Sequence, residues 1–94
     1  MVNVRLVRLA LNGVGIKNKL VRPEPGEPVD PMFELPNFPG RGVQVARGYC
    51  VVTNSGEDED GPWFSEGREC SSVAQLMAEL RRAGILFAPR PAAR

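Results

Sequence analysis

"VNVRLVRLALNGVGIKNKLVR", residues 2–22, decides the fold. Val2, Val4 and Leu6 share one face of an extended chain, while Val7, Leu9 and Leu11 share the other. A bulge near Leu6–Val7 inserts one extra residue and returns both halves to the same core. Arg5 and Arg8 within the run keep part of it in water. Asn12-Gly13 then supplies the strongest short hairpin signal, because both residues tolerate positive φ. On the return, Val14, Ile16 and Leu20 fall on one side and Lys17 and Lys19 on the other. The expectation is a β-hairpin over about 2–22.

The following stretch, "PEPGEPVDPMFELPNFPGRG" (23–42), contains six prolines, each removing a backbone donor that a helix or sheet interior needs. It reads as a long Pro-rich loop, well beyond the usual connection of about 4–6 residues. Met32, Phe33, Leu35 and Phe38 interrupt it with apolar bulk. Proline stiffening lowers the entropy lost on docking, so such a strap suits an intermolecular arm; the alternative is that it covers its own sheet. "RPEPGEP" (22–28) matches the R-x-x-P-x-x-P pattern read by SH3 grooves, but Gly26 loosens the required polyproline geometry.

"VQVARGYCVVTN" (43–54) reads as a single strand with a bulge or close backbone contact at Gly48. "PWFSEG" (62–67) is a short return strand after a hairpin connection at 54–62. From Ser72 the period changes: Val73, Leu76, Met77 and Leu80 follow helical spacing, Ser72 and Gln75 form a capping box, and Gly84 is a natural stop. Ile85, Leu86 and Phe87 run back against the core or form an edge strand, and residues 89–94 are expected to form a flexible tail. No internal repeat stands out. The fold class expected is α+β: one domain over 1–88, with a small, mainly antiparallel sheet of three to five strands and one amphipathic helix at about 72–83 packed on one face.

Composition narrows the chemistry. A hydrophobic content of 43% with 24% charged residues is ordinary for a globular chain and argues against disorder. No apolar run reaches the ~20 residues of a membrane span, and Arg5 and Arg8 interrupt the N-terminal run where a secretory signal needs uninterrupted apolar sequence. The default setting is therefore cytoplasmic, or host cytoplasm and virion for a virus-encoded chain. The two cysteines, Cys50 and Cys70, could pair, but one bridge is no disulfide framework, and they fit reduced and mostly buried thiols better. With no histidine, the usual general base and the commonest nitrogen ligand of zinc are both missing. "NGVGIK" lacks the spacing of a phosphate-binding loop. No catalytic residues, cofactor, metal or small-molecule substrate are expected, and the chain reads as a non-enzyme.

Two charged segments point outward. Glu57, Asp58, Glu59 and Asp60 sit almost against Trp63, the only tryptophan, and Phe64. Aligned on an EF-hand loop with Gly61 at position 6, the run places glycines at positions 1 and 12, where oxygen ligands are required. It reads as a solvated hairpin tip, or as an acidic docking site anchored by Trp63 and Phe64. A lone tryptophan in a small domain is more often core than contact. Residues 1–23 carry Arg5, Arg8, Lys17, Lys19 and Arg22 and no acid, a candidate basic face for nucleic acid, though without an aromatic residue for base stacking. The function expected is a non-catalytic protein–protein interaction module, an accessory or inhibitor protein or an assembly subunit. It would dock through Met32, Phe33, Leu35 and Phe38 on the arm and Trp63, Phe64 and the acids Glu57–Asp60 beside it. Small virus-encoded proteins often have this build. Self-assembly is a variant, nucleic-acid binding by the basic hairpin is the alternative, and no membrane partner is expected.

Overall fold

In the computed structural model, which describes residues 2–86, the opening segment is a helix and not a hairpin. Helix α1 spans Val4–Gly13. Asn3 caps it, its side-chain oxygen accepting the Leu6 amide at 2.9 Å. Val2 and Val7, the two positions of a hydrophobic staple across that cap, are both buried. The helical stripe is Val4, Val7 and Leu11; Leu6 and Leu9, which make the run read as a two-sided strand, point outward. Asn12-Gly13 is no hairpin turn but the last turn of this helix. Gly15 takes φ +76, and the amides of Gly15 and Ile16 return to the carbonyls of Asn12 and Leu11 at 3.1 and 2.9 Å. That double return is a Schellman motif, closed by the buried pair Leu11 and Ile16.

Among the described residues five strands follow in one antiparallel meander, ordered as in the sequence: β1 (Lys19–Val21), β2 (Met32–Glu34), β3 (Arg41–Val45), β4 (Cys50–Asp58) and β5 (Gly61–Glu66). The fold class is α+β, with the strand number and antiparallel pairing that the sequence pattern anticipates. Two strand assignments need correction. The expected single strand 43–54 is a hairpin: β3 ends at Val45, β4 begins at Cys50, and Gly48 at φ +87 helps the chain turn between them. The 23–42 segment is likewise not one loop, since β2 lies inside it and β3 begins at Arg41. Its "RPEPGEP" portion folds into a turn, with Gly26 at φ +91 and the Glu27 amide on the Glu24 carbonyl at 3.1 Å. Proline before a positive-φ glycine is the composition of a type II turn, not of an extended polyproline ligand.

The register separates two faces. Leu20, Phe33, Val43 and Val52 align across β1 to β4 on one face, joined there by Val45 and Cys50. These residues form the core with Val7 and Leu11 of α1 and with Leu76 and Leu80 of α2 (Val73–Arg82). Both helices lie on the same side of the sheet, so among the described residues its other face carries no helix. α2 begins at the expected cap, Ser72, whose hydroxyl accepts the Gln75 amide at 3.2 Å. It ends like α1, with Gly84 at φ +78 and the amides of Gly84 and Ile85 returning to Arg81 and Leu80. Phe87 and the expected tail 89–94 lie outside the described residues.

The connection into α2 is tied twice. Cys50 and Cys70 exchange both backbone hydrogen bonds, at 2.8 and 2.7 Å, and both are free thiols buried in the core. Glu79 is buried and accepts from Arg82 Nε and Nη2 at 2.8 and 2.9 Å and from the Arg68 amide at 3.2 Å. The Arg82 hydrogen bonds hold the Glu79 carboxyl below the ordinary glutamate range, against the opposing effect of burial. A carboxylate with a depressed folded pKa stabilises the fold above its unfolded value, about 4.3, and loses that contribution as pH falls through the folded one. Glu79→Gln is therefore expected to lower stability at neutral pH by about 1 kcal/mol, discounted for the water reaching Arg82. It should also flatten the fall in Tm below about pH 4.3. Thermal melts from pH 7 to pH 3 check this; parallel wild-type and variant curves would remove Glu79 from the acid response.

Candidate functional site

Beyond Asn54 the β4–β5 hairpin leaves the helices behind. Every residue from Asn54 to Gly67 is at least partly exposed. Asp58 pairs with Gly61, so the turn itself is only Glu59-Asp60 and is much tighter than the expected 54–62 connection. The Asp58 carboxylate accepts the Asp60 amide at 2.9 Å, an Asx turn, and Gly61 absorbs the positive φ (+110) that neither acid adopts. The acidic run is thereby divided. Glu57 and Asp58 leave opposite faces of β4, and Glu59 and Asp60 crown the tip. Among the described residues no three His, Cys, Asp or Glu side chains converge as metal ligands would.

The two aromatic residues stand on opposite faces of β5. Trp63 lies cross-strand over Gly56, where an added Cβ would meet the indole at 2.8 Å. Glycine leaves that patch of strand bare and the ring covers it. Trp63 is still 41% exposed, so it belongs neither to the core nor wholly to solvent. Phe64 is 55% exposed and pairs with Ser55 on the face without helices. There it walls an open cleft of about 440 Å³ together with Met32, Pro36 and Pro39, over a floor that includes Gly42, Thr53 and Ser55. The floor is low because Gly42 has no side chain, and the Met32 thioether, accepting from the Thr53 hydroxyl at 3.5 Å, folds across it. Glu66 continues this face beyond Phe64, in register with Thr53.

The proposed arm residues separate. Phe33 and Leu35 are buried, 0% and 2% exposed, in the core of their own chain and are not available to a partner. Phe38 packs half-buried against that core, and Met32 is half-buried on the open face. The strap covers its own domain because β2 pairs on both edges, with β1 and with β3. The basic residues do not gather either. Arg5 and Arg8 stand on α1, with the Arg8 guanidinium 5.8 Å from the Phe33 ring centre, whereas Lys19 is on the opposite sheet face and Lys17 and Arg22 flank β1. The cleft residues Gly42, Thr53 and Ser55, and Glu66 at its margin, escape sequence reading because only strand register brings them together. As for nucleophiles, burial pushes the Cys50 thiol up to about 12 and also raises Cys70, so neither is a thiolate at neutral pH.

Comparison with known proteins gives no second route to the site: no protein-family model, no curated protein and no solved structure matches this chain.

Proposed function

We propose that this chain is a non-catalytic interaction module, an accessory protein or assembly subunit that grips a basic protein partner with its β4–β5 hairpin. One observation carries the reading: the outer part of the hairpin is exposed along its length while presenting Trp63 and Phe64 on its two faces beneath four carboxylates. Aromatic side chains are over-represented among residues that dominate binding energy, and the acids steer a basic surface toward them. Met32 and the cleft beside Phe64 extend the contact onto the sheet.

Trp63→Ser/Phe64→Ser tests it. Neither side chain is in the core, so the double variant is expected to keep the wild-type circular dichroism spectrum and melt cooperatively. Capture of the partner from the native host by immobilised protein should fall at least tenfold, since each such anchor is worth about 2 kcal/mol or more. Undiminished capture by a folded double variant would remove the hairpin from the contact.

A further inference from the structure

Among the described residues β5 is the last strand of the sheet and is paired on one side only. Its free edge is ordered by parity. The Gly67 amide donates to the Val52 carbonyl at 2.9 Å, so alternate residues Ser65, Trp63 and Gly61 also turn their backbone groups toward β4. Phe64 and Glu66 therefore direct their N–H and C=O outward, and Pro62, the remaining outward residue, has no N–H to leave unpaired. Two donors and three acceptors line this edge, beside aromatic rings on both faces. The same hairpin, residues 54–66, carries Glu57, Asp58, Glu59, Asp60 and Glu66 and no lysine or arginine.

We infer that β5 accepts a basic, extended peptide segment as a sixth strand, antiparallel or parallel to it. This rests on the hairpin reading above and names its mode of contact. Main-chain hydrogen bonds to Phe64 and Glu66 supply the register, as in strand addition generally, and alternate side chains of the incoming segment meet the two faces. On one face a lysine or arginine reaches Glu66. On the other it lies over the exposed indole of Trp63, whose ring face attracts cations. Charge chooses the occupant: an acidic or neutral segment gains no steering from five carboxylates, and a second copy of this hairpin brings five more against them.

The probe is a short peptide of alternating lysine and valine, followed by Trp63 fluorescence, with a glutamate–valine peptide as its counterpart. Binding is expected for the lysine peptide alone, weakening as salt is added, with slowed hydrogen exchange at the Phe64 and Glu66 amides. Glu66→Pro removes an outward donor without touching the ladder to β4, and should weaken binding at least tenfold. Glu66→Gln, which keeps the amide, should cost no more than about threefold. As a check that leaves the protein unaltered, N-methylation of alternate peptide amides should abolish binding when the methylated set faces β5 and spare it in the other set. Equal losses for the proline and glutamine variants, tolerance of both methylated peptides, or no lysine-peptide binding would each overturn strand addition. If partner capture still depends on Trp63 and Phe64, the hairpin reading survives that failure. Protection of the same amides in peptide-free protein, rising with concentration and accompanied by a dimer in light scattering, would assign the edge to a second copy.

Discussion

Phe33→Ala is expected to destabilise the protein by about 3–5 kcal/mol, a large share of its folding free energy. Phe33 is wholly buried and sits in the middle of the helix-covered face, aligned with Leu20 on one side and Val43 on the other. Truncating a buried phenylalanine costs about 3–5 kcal/mol, through lost transfer energy and the cavity left behind. A chain of this length has only about 5–14 kcal/mol in total. Phe33→Leu, which keeps most of the volume, should cost less than about 1.5 kcal/mol and remain folded. The contrast with Trp63→Ser/Phe64→Ser is the informative part: those two rings are larger in exposed area, yet their loss should move the urea midpoint little. If Phe33→Ala melted within a few degrees of wild type, β2 would not be seated in the core and the strap would again be free to act as an arm.

The proline count misleads about that strap because it averages over twenty residues what the sheet asks of three. The prolines at 23, 25, 28, 31, 36 and 39 all fall outside β2, and Pro31, just before it, contributes only its carbonyl, to the Val45 amide at 2.9 Å. Met32, Phe33 and Glu34 keep their own donors. Alternation of a half-buried, a buried and an exposed residue there is a strand signal, short enough to vanish among turn residues. By contrast Pro62 does occupy a strand, but at an outward edge position where no ladder bond is lost.

The first helix was legible by comparison with the second. "NVRLVRLALNGVGI" (3–16) and "SVAQLMAELRRAGI" (72–85) share a capping residue, then apolar residues one, four and eight positions later, then glycine and isoleucine at the close. Both end in L-x-x-x-G-I, and both are built as that grammar dictates: buried Leu, positive-φ Gly, buried Ile. The Gly84 stop is evident because Gln75, Arg81 and Arg82 make the outer face of α2 polar. In α1 the outward Leu6 and Leu9 add a second apolar set, and the eye finds two strand faces where there is one helical stripe and two exposed leucines. Asn12-Gly13 completes the deception, since the same dipeptide suits a hairpin and a helix end. The candidate site was half legible: the acids and aromatic residues are contiguous in sequence, whereas the cleft floor and the free edge exist only once register is set.

Gly40→Ala is expected to cost about 2–5 kcal/mol, second only to Phe33→Ala among these single substitutions, and the reason separates it from other positive-φ glycines. At Gly15 and Gly84 an added Cβ meets nothing within 4 Å, so Gly15→Ala and Gly84→Ala carry only the left-handed backbone penalty of about 1–2 kcal/mol. At Gly40, φ +80, the Cβ would run into the Ser55 backbone carbonyl, which has no rotamer by which to retreat. The approach is close because Ser55 donates its amide to the Gly40 carbonyl at 2.7 Å, carrying the β3–β4 ladder one step past Arg41 and Asn54. Relieving the clash means parting that bond and lifting the Pro36–Pro39 turn from β4, a further cost of about 1–3 kcal/mol. Urea titrations of the three alanine variants should rank Gly40 well below the helix-end pair, and equal losses would show that backbone conformation alone matters at this site. The consequence reaches the cleft, since Gly40, Pro39 and Ser55 line it beside Phe64. A folded Gly40→Ala protein should therefore hold its hairpin contact less well than Gly15→Ala at matched stability.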